Sequence, residues 1–363
     1  MVFPAQPVKG TVDVGAWLQP VANGVVFGSI LALCAIGLTL IYGILNLSSF
    51  AHGDTLTFGA YMAFFFGTSL WLGGHVAPIG LGVAGVLGAG VLLDAFWLRR
   101  LHRSERWVVA GFAGATGLVA LWLALAGTGG PGTTDRVLVL ATLLSIACTV
   151  TLTLLLEFVL WRPLRRRGAT VLSLVIASLG LALVLRNALQ MWFGGDQRSL
   201  ERGVAVSATY AGVHVSEAQW VTLALAAAII LGVHLFITRT RVGKAMRALA
   251  DNRDLARVCG IDVDRIVAYV WALAAALVAV AGVLLCLNQN NSLTINMGFG
   301  VLIPIFAAVL LGGIGSPYGA MLGGLVVGLA MRLGPGKYDL AWAFIVLVAV
   351  LLIRPQGLLG RKA

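Results

Sequence analysis

Two stretches of this 363-residue chain carry residue types that could do chemistry. The first, "NLSSFAHGD", gathers Asn46, Ser49, His52, Gly53 and Asp54 between two long apolar runs. Polar side chains beside a glycine break can hold a small solute, because helix N-termini and unwound backbone add hydrogen-bonding groups in an apolar setting. A solute with both an amino and a carboxylate group needs such handles. The plainer alternative is that Asp54 caps the helix that follows. A further polar pair, Arg186 with Asn187, interrupts the apolar run in "LVLRNALQMWFGG". A charge at the centre of a membrane helix costs about 2.5–3.5 kcal/mol on insertion scales, so Arg186 needs a reason. A helix-packing partner and an external gate residue account for it equally well.

The second stretch is "TRTRVGKAMRALADNRDLARVCGIDVDRIVAYVW", residues 238–271. Its polar part, 239–265, is too long for a simple connector and is rich in helix formers. Asp251 is placed to cap a short helix, with Asp254 at the third position beyond it. Met246, Leu249, Leu255 and Val258 are expected to make apolar contacts while Arg247, Arg253 and Arg257 face water. Gly260 stands where a helix stops in a left-handed turn. Such a segment reads either as a solvated surface helix held to a membrane by basic residues or as a docking helix for a groove on a cytoplasmic partner.

The elements around these stretches follow from composition. The chain is 60% hydrophobic and 11% charged, against about 45–50% and 25% in soluble domains. Several apolar runs are long enough to cross a bilayer as helices, and they are continuous rather than alternating, which excludes a β-barrel. The fold class is therefore an all-α, polytopic integral membrane protein. Apolar runs bounded by charge, glycine or proline predict eleven spans, near 21–43, 54–72, 76–98, 107–126, 136–160, 171–193, 219–238, 266–287, 299–313, 317–333 and 339–354. Segments 99–106, 161–168, 239–265 and 354–363 hold 18 of the 25 Lys and Arg residues. The positive-inside bias places them in the cytoplasm, with the N-terminus outside and the C-terminus inside. On this topology the 46–61 stretch lies at the cytoplasmic end of the first span, as an inner mouth or as a capped, re-entrant turn.

Several function classes drop out. The net charge of +11 belongs to those loops, and no basic stretch forms a nucleic-acid recognition module. Cys34, Cys148, Cys259 and Cys286 are scattered and form no CxxC or Cys/His cluster, so neither a metal nor a disulfide framework is expected. "GTGGPGTTD" (127–135) has phosphate-loop glycine spacing, but Thr133 stands where the lysine is required. No catalytic constellation appears, and no cofactor is expected.

Asp254-Leu255-Ala256-x-x-x-Gly260 is similar to the E-A-A-x-x-x-G pattern of ABC importer permeases, with Asp for Glu, Leu for the first Ala and no downstream Pro. Around it the chain resembles the branched-chain (hydrophobic) amino-acid ABC permease family. The resemblance runs through "GSILALCAIGLTLIYGILNLSSFAHGD", "WRPLRRRGATVLSLVIASLGLALVL", "GKAMRALADNRDLARVCGIDVDRI", "AAVLLGGIGSPYGAMLGG" and "RPQGLLG". It covers roughly 20–72 and 140–363 of a single permease domain, and 73–135 reads as an inserted helix pair. The resemblance implies a multi-pass subunit of the bacterial inner membrane that moves neutral or branched-chain amino acids. It implies two cytoplasmic ATPase subunits, a second permease subunit in a heterodimer, an external binding protein and surrounding lipid as partners. It implies ATPase docking at Ala250, Asp251, Asp254, Leu255, Ala256, Gly260 and Ile261. The substrate pathway is expected at Asn46, Ser49, His52, Gly53, Asp54, Arg186 and Asn187. Urea or short-amide uptake is the neighbouring alternative, and a standalone channel or ion-coupled carrier is the alternative from another class.

Overall fold

Continuous apolar sequence without an amphipathic stripe makes a helix that must be buried on all sides. The computed structural model, which describes residues 14–71, 134–199, 207–210, 213–289, 291–334, 338–354 and 356–360, is built around two such helices. They are α1 (Val14–Leu45) and α9 (Val263–Asn288), whose most apolar stretches are largely buried. Around them pack α2 (Ala51–Trp71), α3 (Thr134–Leu156), α10 (Met297–Gly312) and α11 (Pro317–Leu333). Outermost are α5 (Val171–Phe193), α6 (Glu217–Arg239) and α12 (Asp339–Ile353). Backbone contact at small residues supplies the packing between them, since lipid gives no hydrophobic drive for helix pairing. At the α1–α11 crossing a Cβ on Gly28 would lie 2.9 Å from Leu325 Cα, so the two backbones touch there.

Helix boundaries follow local chemistry. Ser216 and Gln219 form a reciprocal capping box at the start of α6. Ser316 caps α11, and Pro317 fills its first position. Beyond α3 the helix widens into a π turn, Glu157–Trp161, before the short α4 (Arg162–Arg166). Pro163 has no N–H for the Val159 carbonyl and its ring crowds that group, which favours the wider turn. Two short antiparallel ladders, β1 (Arg198–Ser199) with β4 (Ser292–Leu293) and β2 (Ser207–Tyr210) with β3 (Val213–Ser216), lie where α5 and α9 end. The opposite end of α9 adjoins two short helices, α7 (Arg241–Asp251) and α8 (Arg253–Val258).

Nine of the expected spans fall on these helices, and for 171–193 and 317–333 the bounds coincide. Five of the described helices are long and apolar enough to cross a membrane, and α10, α11 and α12 are shorter apolar helices. The expected spans 76–98 and 107–126, and all but the last two residues of the 73–135 pair, lie outside the described residues.

The connection between α1 and α2 is not a surface loop. Asn46 takes a left-handed conformation (φ 51°) and its N–H closes on the Tyr42 carbonyl at 2.8 Å, which stops α1. The chain then turns back, for His52 Nε2 lies 3.1 Å from the Cys34 carbonyl. Cys34 is eleven residues before the end of α1, roughly 16 Å at 1.5 Å per residue. The first turn of α2 therefore sits inside the helix layer. The stretch thus folds back into the helix layer and does not run along its surface.

Candidate functional site

The break is held open by α5. Ser178, fully buried, accepts the Phe50 N–H at 3.2 Å and reaches the Ser48 carbonyl at 3.4 Å. The carbonyl of buried Ser49 accepts the His52 N–H at 3.3 Å. Gly53 is required by close approach: a Cβ there would meet the Gly298 carbonyl oxygen at 2.5 Å. Gly298 N–H in turn donates to Thr57 Oγ1 at 3.0 Å. The N-termini of α2 and α10 thus meet inside the helix layer, and both present the positive end of a helix dipole.

Asp54 occupies the first turn of α2 at this junction and is 1% exposed. Arg186 of α5 grips it with both arms, Nε to Oδ1 at 3.0 Å and Nη2 to Oδ2 at 3.2 Å. A forked, charge-assisted pair is the geometry that best compensates two charges away from water. The guanidinium also lies over the Phe299 ring, 4.5 Å from its centroid. Arg186 is 19% exposed, and Phe299 is exposed on the surface of α10. One flank of the pair therefore opens outward.

The structure brings Ser49, His52, Gly53, Asp54 and Arg186 together around the break, with Asn46 at its start. Asn187 does not join them; it is exposed, and its amide donates to the Leu183 carbonyl one turn back at 2.8 Å. Sequence reasoning missed Thr57, Ser178, Gly298 and Phe299. Gly298 had a signal in the small residues at a helix start ("MGFG"), whereas Ser178 and Thr57 had none.

The second candidate is the elbow of α7 and α8. Thr240 accepts the Gly243 N–H at 3.0 Å and starts α7. Gly243 allows the sharp turn, because a Cβ there would meet Ile237 Cα at 2.5 Å. The cap of α8 is Asn252, not Asp251: its Oδ1 accepts the N–H groups of Asp254 (3.1 Å) and Leu255 (2.9 Å). Asp251 instead ends α7. Gly260 adopts φ 82°, and Gly260 N–H to Arg257 O with Ile261 N–H to Ala256 O, both 3.0 Å, close a Schellman motif.

Met246 and Leu249 are buried as expected, but Leu255 is 60% and Val258 86% exposed. Ala256 is the inward-facing residue of α8, at 3%. Arg247 and Arg257 are exposed, while Arg253 is half-buried against the expectation that it faces water. Burial, then the like charges of Arg257 and Arg165, lower the Arg253 guanidinium from its usual pKa. Ala250, Asp251, Asp254 and Gly260 are exposed and Ile261 is partly buried. The elbow thus offers an apolar ridge, Leu255 and Val258 one turn apart, ringed by charge.

Ion pairs fix the root of the elbow. Asp264, in the first turn of α9, pairs with Arg162 and with Arg166 (3.1 Å), and Arg165 pairs with buried Glu157. Trp161 stacks on Trp271, ring centroids 5.9 Å apart. Among the described residues no three His, Cys, Asp or Glu side chains gather as metal ligands would.

Residues 21–354, which include both the break and the elbow, match the family described as branched-chain amino acid transport system, permease component. The chain belongs to this permease family. It is 32% identical to the high-affinity branched-chain amino acid transport system permease protein BraD of Pseudomonas aeruginosa, over 95% of this chain and 96% of that protein. It is 31% identical to the permease protein LivH of the corresponding system of Escherichia coli K12, with the same shares covered. No solved structure matches. The permease's two candidate sites lie apart along α9, the elbow at its first turn and the break alongside its middle and far half. Ala274 and Ala279 of α9 face Gly37 and Gly59, and Gly282 lies against the Leu56 carbonyl.

Proposed function

We propose that this permease is the membrane-spanning subunit of an ATP-binding-cassette importer for neutral or branched-chain amino acids in a bacterial inner membrane. It carries eleven spans, the 73–135 pair included, with the N-terminus outside and the elbow in the cytoplasm. Two ATPase subunits dock on the elbow at Ala250, Asp251, Asp254, Leu255, Gly260 and the partly buried Ile261, with Ala256 beneath them holding the elbow together, and hydrolyse the ATP. A second permease subunit completes a heterodimer in the lipid, and an external binding protein delivers the solute. The pathway passes Ser49, His52, Gly53, Asp54 and Arg186, with exposed Asn46 and Asn187 at its flanks.

The observation that carries this reading is the elbow. An apolar ridge left exposed among charged residues at the end of α9 calls for a partner groove, and helix-in-groove docking uses anchors at this spacing. The names of the relatives favour an amino acid over urea as the solute.

Leu255→Glu with Val258→Glu is the test. Both side chains are exposed, so insertion and abundance should match the parent. Burying the two anchors is worth about 1.5–3 kcal/mol each, so the tagged permease should lose its ATPase subunits on purification and uptake of labelled leucine should stop. Retained ATPase and normal uptake would refute the docking assignment. Ala256→Arg is a poor substitute, because Ala256 is buried and its loss would unfold the elbow itself.

A further inference from the structure

We propose that the Asp54–Arg186 pair is an exchange site for a zwitterionic solute, an inference that rests on the permease reading above. The solute's carboxylate would take the guanidinium fork of Arg186 while its ammonium takes the carboxylate of Asp54. Four features of the site lead there. The pair is forked and its carboxylate is buried, so neither charge can be released alone without a heavy penalty. A zwitterion offers both replacements at once, and every charge stays partnered as the pair opens. The guanidinium is partly exposed and its platform, Phe299, faces outward, which gives the solute a side from which to approach.

The fourth feature is the lane beside it. Phe299, Ile303, Phe306 and Leu310 recur along one face of α10; Phe306 is partly buried, and the other three are exposed. Phe50, from the break itself, packs on Phe306 with ring centroids 5.0 Å apart. A branched hydrocarbon side chain attached to the zwitterion would lie along this seam. A neutral amide such as urea would find neither two charges to exchange nor a side chain to place. A fastener between α2 and α5 would need no exposed aromatic platform under the arginine.

The experiment uses the assembled importer, purified with its ATPase subunits, partner permease and binding protein and reconstituted for uptake of labelled leucine. Single variants Asp54→Leu and Arg186→Met strand one charge; the double variant removes both. Replacing a buried ion pair by apolar residues of similar size is commonly neutral for folding. The double variant should therefore insert and co-purify like the parent while its uptake stays at least tenfold down. Recovery of uptake to within about twofold of the parent in the double variant would make the pair a fastener and overturn the inference.

Arg186→Lys keeps the charge without the fork and covers the case of a double variant that fails to insert. Its maximal uptake at saturating loaded binding protein should fall about tenfold, and an unchanged maximum would overturn the inference too. The two readings fail differently. A parent complex that takes up no leucine, or retains no ATPase, refutes the permease assignment; an active parent with an active double variant refutes only the exchange site.

Discussion

Gly53→Ala is the sharpest probe of the helix junction. A Cβ at Gly53 would sit 2.5 Å from the Gly298 carbonyl oxygen, 3.0 Å from the Gly298 carbonyl carbon and 3.2 Å from Leu302 Cβ. The nearest two are backbone atoms, so no side chain can rotate out of the way. Reaching an ordinary separation of 3.4 Å requires α2 and α10 to part by about 0.9 Å at this point. That shift would stretch the 3.0 Å bond from Gly298 N–H to Thr57 Oγ1 beyond hydrogen-bonding range. Overpacking of this kind costs about 1–3 kcal/mol and the lost hydrogen bond about 1 more. Better helix propensity returns at most about 1 kcal/mol. The net expectation is a loss of about 1–3 kcal/mol.

The measurement is the denaturation midpoint of the purified permease in detergent, read beside leucine uptake. Gly180→Ala in α5 is the matched control, since nothing lies within 4 Å of a Cβ there. It should be neutral or stabilising by about 0.5–1 kcal/mol. Uptake should drop in Gly53→Ala because moving α10 carries Phe299 away from Arg186. If Gly53→Ala proves as stable as Gly180→Ala and transports normally, the two helix N-termini do not meet as described.

Glu157→Gln should leave the partly buried Arg165 without its carboxylate, a cost approaching the roughly 3–5 kcal/mol of a broken buried pair, seen as reduced abundance and a lower denaturation midpoint. Asn46→Gly should be tolerated, whereas Asn46→Val should cost about 1–2 kcal/mol because a β-branched residue cannot comfortably hold φ 51°; the same midpoint assay checks both.

What the sequence made legible and what it hid divide along physical lines. Helix positions came through because a continuous apolar run ended by Pro, Gly or charge has one low-energy answer in lipid, as at Val171–Phe193 and Pro317–Leu333. The left-handed stop at Gly260 was equally local. The Asp54–Arg186 pair was not legible, although both residues stood out singly. They lie 132 residues apart, and apolar helices of this kind carry no periodic stripe to say which neighbour each will face. Leu255 and Val258 misled for another reason. Apolar residues one turn apart mark a face that wants covering, and the pattern is the same whether this chain or a partner covers it. The cap of α8 moved by one position because Asp251 and Asn252 are both good capping residues, and only the geometry of the turn selects Asn252.

The two sites acquire a common logic through α9. Its first turn holds the elbow's root, since Asp264 is pinned by Arg162 and Arg166 beyond the π turn. Its middle and far half pack directly on the backbones of α1 and α2, with Ala274 against Gly37, Ala279 against Gly59 and Gly282 against the Leu56 carbonyl. A contact of backbone on backbone has no soft side chain to absorb displacement, so a shift of α9 must move α2 with it. The first turn of α2 carries Asp54, while Arg186 stands on the outer helix α5, which packs against α2. Displacing α2 while α5 stays in place changes the fork between them before anything else. Contiguity alone is not coupling; what would make it so is a force at the elbow that differs between two states of a docked partner. The exposed ridge of Leu255 and Val258 is where such a force can be applied, and the buried pair is where the structure is least able to ignore it.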